Sequence, residues 1–184
     1  TLLSIVIYYR RDLASLVGGL WHRRRESLRE AGLLALAKVP TVAIFLLAKE
    51  ELEALYESPR AAAVALCITG AALLAPVRPR RGSGSMTAVR ALCIGAAQAL
   101  AMVPGISRSG STITTARHLG VAPARGAEFS FFMAIPVLLA ATLLELPHLR
   151  ESAAASVSLP SLAAGMAVSA LVGYLALALL LRML

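Results

Sequence analysis

The stretch Pro104-Gly105-Ile106-Ser107-Arg108-Ser109-Gly110-Ser111-Thr112 decides how this chain is read. It sets a permanent cation, four hydroxyls and two glycines between two strongly apolar segments. A guanidinium at membrane depth costs about 3 kcal/mol or more, so it calls for a partner or a water-filled cavity. Neighbouring glycines permit positive φ, which can turn successive N–H groups toward one point as an anion-binding nest. A phosphate fits that description best.

Working outward, apolar pieces cover residues 87–103 and 111–119. The second is too short to span as a helix, and Arg117, His118 and Arg125 follow it, so the pair is expected to form a re-entrant hairpin. Irregular backbone at membrane depth is tolerated only where protein buries it or it lines a wet cavity, so the tip has to face other elements. The second arm is expected to begin near Ser111, where free N–H groups and the positive end of the helix dipole add to the charge of Arg108. Thr112 would cap that arm or hydrogen-bond a bound oxygen. Arginine suits the task because its planar fork makes bidentate contacts to phosphate oxygens. The competing reading is a solvent loop joining two ordinary spans, with Arg108 as one more topology signal.

Composition supports the bilayer. The chain has 184 residues, 58% of them hydrophobic and only 15% charged, with a mean hydropathy of +0.76, too apolar for an ordinary soluble domain. The net charge of +8 comes from 18 basic against 10 acidic residues. Nearly all the basic ones are Arg gathered in short loops, as the positive-inside rule requires. Aromatic residues make up 5% and no nucleic-acid-reading module is present, so nucleic acid is excluded as a partner. Thr1 opens in an apolar run without a basic leader, so a cleavable signal peptide is not expected. Cys67 and Cys93 lie in apolar segments without metal-ligand spacing and are expected to be buried small hydrophobes.

The fold class expected is an all-α, polytopic integral membrane bundle, with residues 1–184 as a single transmembrane domain. Residues 1–9 read as the tail of a span, because about 20 apolar residues are needed to cross. A basic stretch follows over residues 10–29, then an apolar helix over 31–48, an acidic loop over 49–60 and another apolar helix over 61–75. The Arg-, Pro-, Gly- and Ser-rich run 78–85 reads as a surface connection. A helix over 129–146 with a bend at Pro136 and a final span over 161–181 complete the pattern. Both Arg-rich loops then belong on the cytoplasmic side and the acidic loop outside.

Other polar residues read more plainly. His22, His118 and His148 lie beside arginines and share no ligand spacing, and Glu50, Glu51, Glu53 and Glu57 read as a solvated outer loop, not a metal site. Glu128 is placed to open the Phe129 helix against its dipole, or to orient Arg108. Gln98, polar within an apolar arm, is either packing glue or a lining residue of the site.

The run from Gly95 to Thr112, Gly-Ala-Ala-Gln-Ala-Leu-Ala-Met-Val-Pro-Gly-Ile-Ser-Arg-Ser-Gly-Ser-Thr, resembles the second signature of the undecaprenyl-diphosphatase, or bacitracin-resistance, family. The stretch Ala-Glu-Phe-Ser-Phe-Phe-Met-Ala-Ile-Pro from Ala127 to Pro136 is similar to that family's following helix. The resemblance implies a multi-pass enzyme of the inner (plasma) membrane. Such an enzyme hydrolyses undecaprenyl diphosphate to undecaprenyl phosphate and inorganic phosphate, recycling the lipid carrier of cell-wall synthesis. It implies two inverted repeats whose re-entrant hairpins meet at mid-membrane, one half of which would be present here. Arg108, Ser107 and Thr112 would belong to the catalytic centre, with Gly105, Ser109, Gly110, Ser111 and Gln98 contacting or shaping the substrate site.

The family's first signature, a Gly-x-x-Glu stretch with a downstream Ser-Ser-x-Gly-His, is absent from residues 1–94. A divalent cation, Mg2+ or Ca2+, is therefore expected from the resemblance without ligands in this chain, since Gln98 cannot replace a carboxylate. The chain is expected to lack an N-terminal hairpin and the family's last helix. Expected partners are the bilayer and a polyprenyl diphosphate, with a homodimer left open. A transporter or flippase for an anionic lipid uses the same inverted-repeat logic. That reading and a non-catalytic fragment of the family, keeping the fold without the chemistry, stand as the alternatives.

Overall fold

The computed structural model describes residues 1–74, 84–153 and 159–183, so positions 78–83 of the expected basic loop lie outside the described residues. Among the described residues the elements are α1 (Leu2–Tyr8), α2 (Arg10–Trp21), α3 (Arg25–Leu47), α4 (Lys49–Tyr56), α5 (Pro59–Leu74), α6 (Ala88–Leu100), α7 (Arg108–His118), α8 (Pro123–Ala153) and α9 (Leu159–Met183). The only extended pairing among them is an isolated bridge between Gly84 and Val121. Three stretches among the described residues are long and apolar enough to cross a membrane: Arg25–Leu47, Pro123–Leu144 and Pro160–Met183. The protein is an all-α, polytopic membrane protein.

Two expectations about loops are corrected. Residues 49–56 of the acidic segment are helical, because Glu50 and Glu51 occupy the first turn of α4, where carboxylates meet the positive end of the helix dipole. α4 and α5 meet at 96°, as in a broken span or a re-entrant turn. The helix expected to open beside Glu128 instead starts at Pro123, where a fixed φ and a missing N–H cost nothing at the first helical position. α8 also continues through Pro136.

The chain divides into two compact units, Thr1–Ser27 with Ala134–Leu184, and Leu28–Met133. In the first, α1 packs on α9. Ser4, 1% exposed, donates its hydroxyl to the Ala170 carbonyl at 2.9 Å, and the Tyr8 ring lies 5.7 Å from that of Tyr174. Gly173 faces Ser4 with no room for a side chain.

The second unit carries the polar nonapeptide. Its core joins Leu33 and Ala37 of α3, Ala91 and Ile94 of α6, Ala116 of α7, and Phe129 and Met133 of α8, with Met86 and Val121 from the connections. Gly95 is a close-approach point, since a Cβ there would collide with the Ala37 backbone. Cys67 and Cys93 correct the expectation of burial: both thiols are free and exposed. They lie on outward faces of apolar helices, where lipid accepts a small apolar side chain as readily as a protein core does.

Candidate functional site

α6 has 13 residues and α7 has 11, about 20 and 16 Å at 1.5 Å per residue, so neither can cross a hydrocarbon layer of about 30 Å. They pack against each other as a hairpin whose turn, residues 101–107, takes in the first four residues of the quoted nonapeptide. Gly105 has φ 92°, and a Cβ there would collide with the Ala62 carbonyl of α5. Only glycine makes this turn while touching α5.

Thr69 of α5 fastens the same turn. Its hydroxyl, within an 8% exposed residue, donates to the Gly105 carbonyl at 3.2 Å and accepts the Ser107 N–H at 3.3 Å.

The second arm begins earlier than expected. Ser107 is the N-cap, its Oγ accepting the Gly110 N–H at 3.2 Å, so Arg108 is the first helical residue. The Ser111 N–H is taken by the Ser107 carbonyl at 2.9 Å. Among the described residues, the amide hydrogens of Arg108 and Ser109 have no acceptor. The free donors of the helix end thus belong to Arg108 itself and to its neighbour Ser109. Gly110 lies inside α7 with no positive φ; its lack of a side chain leaves room for Ser107 and for Leu73 of α5.

Thr112 is fully buried and does not cap the arm. Its hydroxyl donates to the Arg108 carbonyl at 2.8 Å and lies 2.5 Å from the Ser130 hydroxyl of α8. Thr112 has one hydroxyl hydrogen; with that on Arg108, the hydrogen between the two side chains comes from Ser130. Thr112 therefore holds the turn that carries Arg108.

The candidate residues do not converge on one cavity. Gly110 and Ser111 line a cavity of about 270 Å³ whose opposite wall is Ile68, Thr69 and Leu73 of α5. Hydroxyl residues stand on both walls among apolar ones, Ser111, Thr114 and Thr115 on α7 and Thr69 on α5. Arg108 and Gln98 do not line it. Gln98 is 3% exposed, donates to Thr41 of α3 at 3.3 Å, and leaves its Oε1 buried without a partner among the described residues.

Charges around Arg108 are unbalanced. Among the described residues no carboxylate or hydrogen-bond acceptor engages its guanidinium. Glu128, a candidate for orienting it, instead pairs with Arg125 at 2.9 Å, which also pairs with Glu30 of α3. That cluster ties α8 to α3 and is spent on structure. His22 and His118 are exposed, and so are Glu50, Glu51 and Glu57. The side chains of Glu53 and His148 lie outside the described residues.

Lys38 was missed by sequence reasoning. It sits inside the apolar part of α3, half-buried, and donates to the Met133 carbonyl of α8. Its charge and that of Arg108 act on each other. A lone lysine within a span is itself the signal that could have found it. Ser130 and Thr69 gave no such signal, because their partners are distant in sequence.

The donor set is suited to an anion: a guanidinium, an ammonium, hydroxyls and helix-end amides. Among the described residues no group of three His, Cys, Asp or Glu side chains could hold a metal ion, and two cations would repel a divalent ion. These residues do not fit the expected Mg2+ or Ca2+.

Fold and site together define an all-helical integral membrane protein with a short helical hairpin rich in hydrogen-bond donors. A sequence profile of the family described as Bacitracin resistance protein BacA matches residues 1–184, and the chain belongs to that family. It is similar to the undecaprenyl-diphosphatase of Salinibacter ruber, 39% identical over 163 residues, which covers 82% of this chain and 60% of that protein. The undecaprenyl-diphosphatase of Alcanivorax borkumensis is 38% identical over 192 residues, 100% of this chain and 72% of that protein. That of Pelobacter propionicus is 37% identical over 193 residues, 99% and 70% respectively. The chain thus spans between about three fifths and three quarters of these relatives.

Proposed function

We propose that this chain carries the phosphate-gripping part of an inner-membrane hydrolase that converts undecaprenyl diphosphate to undecaprenyl phosphate and inorganic phosphate, recycling the carrier lipid of wall synthesis and conferring bacitracin resistance. The observation that carries the reading is Arg108 at the first position of α7, half-buried, without an acid among the described residues and beside two unused helix-end amides. The family and the names of the relatives supply the substrate class.

Phosphoryl transfer asks a protein mainly to position the phosphate and to neutralise charge as it develops. The fork of Arg108 can take two oxygens of one phosphate. The amides of Arg108 and Ser109 point out of the helix end toward the same region. Ser107 uses its oxygen as the cap acceptor, so its hydroxyl hydrogen remains available to a phosphate oxygen. That hydroxyl would serve as a donor to the anion. The hydroxyl-and-apolar cavity between α5 and α7 offers the adjoining lipid chain a wall of Ile68 and Leu73.

The test is phosphate release from undecaprenyl diphosphate by the purified protein, expressed from its complete gene in detergent micelles. Arg108→Ala is expected to lower kcat/KM by at least about 100-fold, the effect of removing a charged transition-state contact. Unchanged turnover, or no release by the unaltered protein, would overturn the reading. A carrier would move the lipid between leaflets of a vesicle without releasing phosphate.

A further inference from the structure

Lys38 is the group that this mechanism leaves unused. It lies in a helix long enough to cross the membrane, and of its three ammonium hydrogens one is given to the Met133 carbonyl. Among the described residues no carboxylate pairs with it.

It is tied to the helix that also supports the Arg108 turn. α8 links the two: Met133 accepts from Lys38, and Ser130, three residues earlier on that helix, bonds to Thr112 beneath the Arg108 turn. The next turn of α3 carries Thr41, bonded to Gln98, whose buried Oε1 lacks a partner. Lys38 and Arg108 also repel one another through the intervening space. Two mutually repelling cations at membrane depth are costly to keep, and an anion bearing at least two charges turns that cost into binding.

We propose that Lys38 is the second cation of the site, holding one phosphate of a diphosphate while Arg108 grips the other, with Gln98 Oε1 accepting a hydrogen from a water or a protonated phosphate oxygen between them. The assignment rests on the hydrolase reading for its lipid but not for its anion. Two hydrogens of the ammonium remain for phosphate oxygens after Met133 is served. A monophosphate spans only one of the cations. The pair therefore discriminates the diphosphate from the monophosphate that hydrolysis leaves on the lipid.

The experiment uses the protein expressed from its complete gene, in detergent, with inorganic pyrophosphate and orthophosphate as calorimetric probes. Lys38→Met is expected to weaken pyrophosphate binding by about 10- to 100-fold and orthophosphate binding by less than about threefold. Its melting temperature should not fall, because an apolar residue replaces a charge within an apolar helix. Lys38→Arg should restore most of the pyrophosphate affinity. Equal pyrophosphate affinity in Lys38→Met overturns the proposal. So does a lowered melting temperature with parallel loss of both ligands, the result expected of a mere tether to α8. No pyrophosphate binding by the unaltered protein overturns it too. Lys38-dependent pyrophosphate binding without phosphate release from the lipid supports it while removing the hydrolase reading.

Discussion

Replacing Thr112 by valine keeps the shape of a fully buried side chain and deletes a hydroxyl that serves two helices. The change removes a 2.8 Å bond to the Arg108 carbonyl and the acceptor that lies 2.5 Å from Ser130. Side-chain hydrogen bonds between membrane helices average about 0.6 kcal/mol each. Leaving the Ser130 hydroxyl, 5% exposed, without a partner adds about 1–3 kcal/mol. Part of that is recovered when Ser130 turns to the carbonyl one helical turn back. The expected cost of Thr112→Val is about 1–3 kcal/mol, and Ser130→Ala alone should cost about 1 kcal/mol. The double variant should show a coupling energy of about 0.6–1.7 kcal/mol. Reversible unfolding in mixed micelles, followed by circular dichroism, measures all four states of the cycle. Because the same hydroxyl holds the Arg108 turn, kcat/KM for prenyl diphosphate should also fall about tenfold, or about 1.4 kcal/mol. Additivity within about 0.3 kcal/mol, together with wild-type turnover in Thr112→Val, would refute the claim that the pair positions Arg108.

Further outcomes follow from neighbouring contacts. Gly105→Ala meets both a φ of 92° and the Ala62 carbonyl, and is expected to cost more than about 2 kcal/mol, read as lost folded yield in size-exclusion chromatography. Ser107→Asp keeps a good N-cap but sets a negative charge beside Arg108, so the melting temperature should hold while phosphate release falls by at least about 30-fold. Arg125→Met strands Glu30 and Glu128 and should destabilise by about 1–3 kcal/mol, with Glu30→Gln in the same chain restoring part of the loss. Pyrophosphate at about 100 times its Kd should raise stability by about 2.7 kcal/mol in the unaltered protein, and the gain should vanish in Arg108→Ala.

The membrane class and the hairpin were legible because composition and span length act over many residues, so the apolar runs around 31–48, 87–103 and 161–181 could not be mistaken for loops. Arg108 was legible for the opposite reason, as one charge in the wrong solvent. The start of α7 was not, since Ser107-Arg108-Ser109-Gly110 contains no strong helix former and Ser107 reads equally as a site residue or a cap until its Gly110 contact is seen. Helicity in residues 49–56 was hidden by the same carboxylates that stabilise it at the helix start. The support of the site is tertiary throughout: Thr69, Ser130 and Lys38 act on partners 36, 18 and 95 residues away. No local pattern records such distances.

One oxygen of α5 joins the peptide groups on either side of Ile106, taking the hydrogen of Ser107 and serving the carbonyl of Gly105. The hairpin apex is consequently fixed to a neighbouring helix before any anion arrives, and docking need not freeze a floppy loop. Recognition of this kind loses little entropy at the moment of capture. On the proposed reading, a lipid diffusing sideways through the bilayer would meet a ready-made receptor, and the speed of the encounter would be left to the lipid.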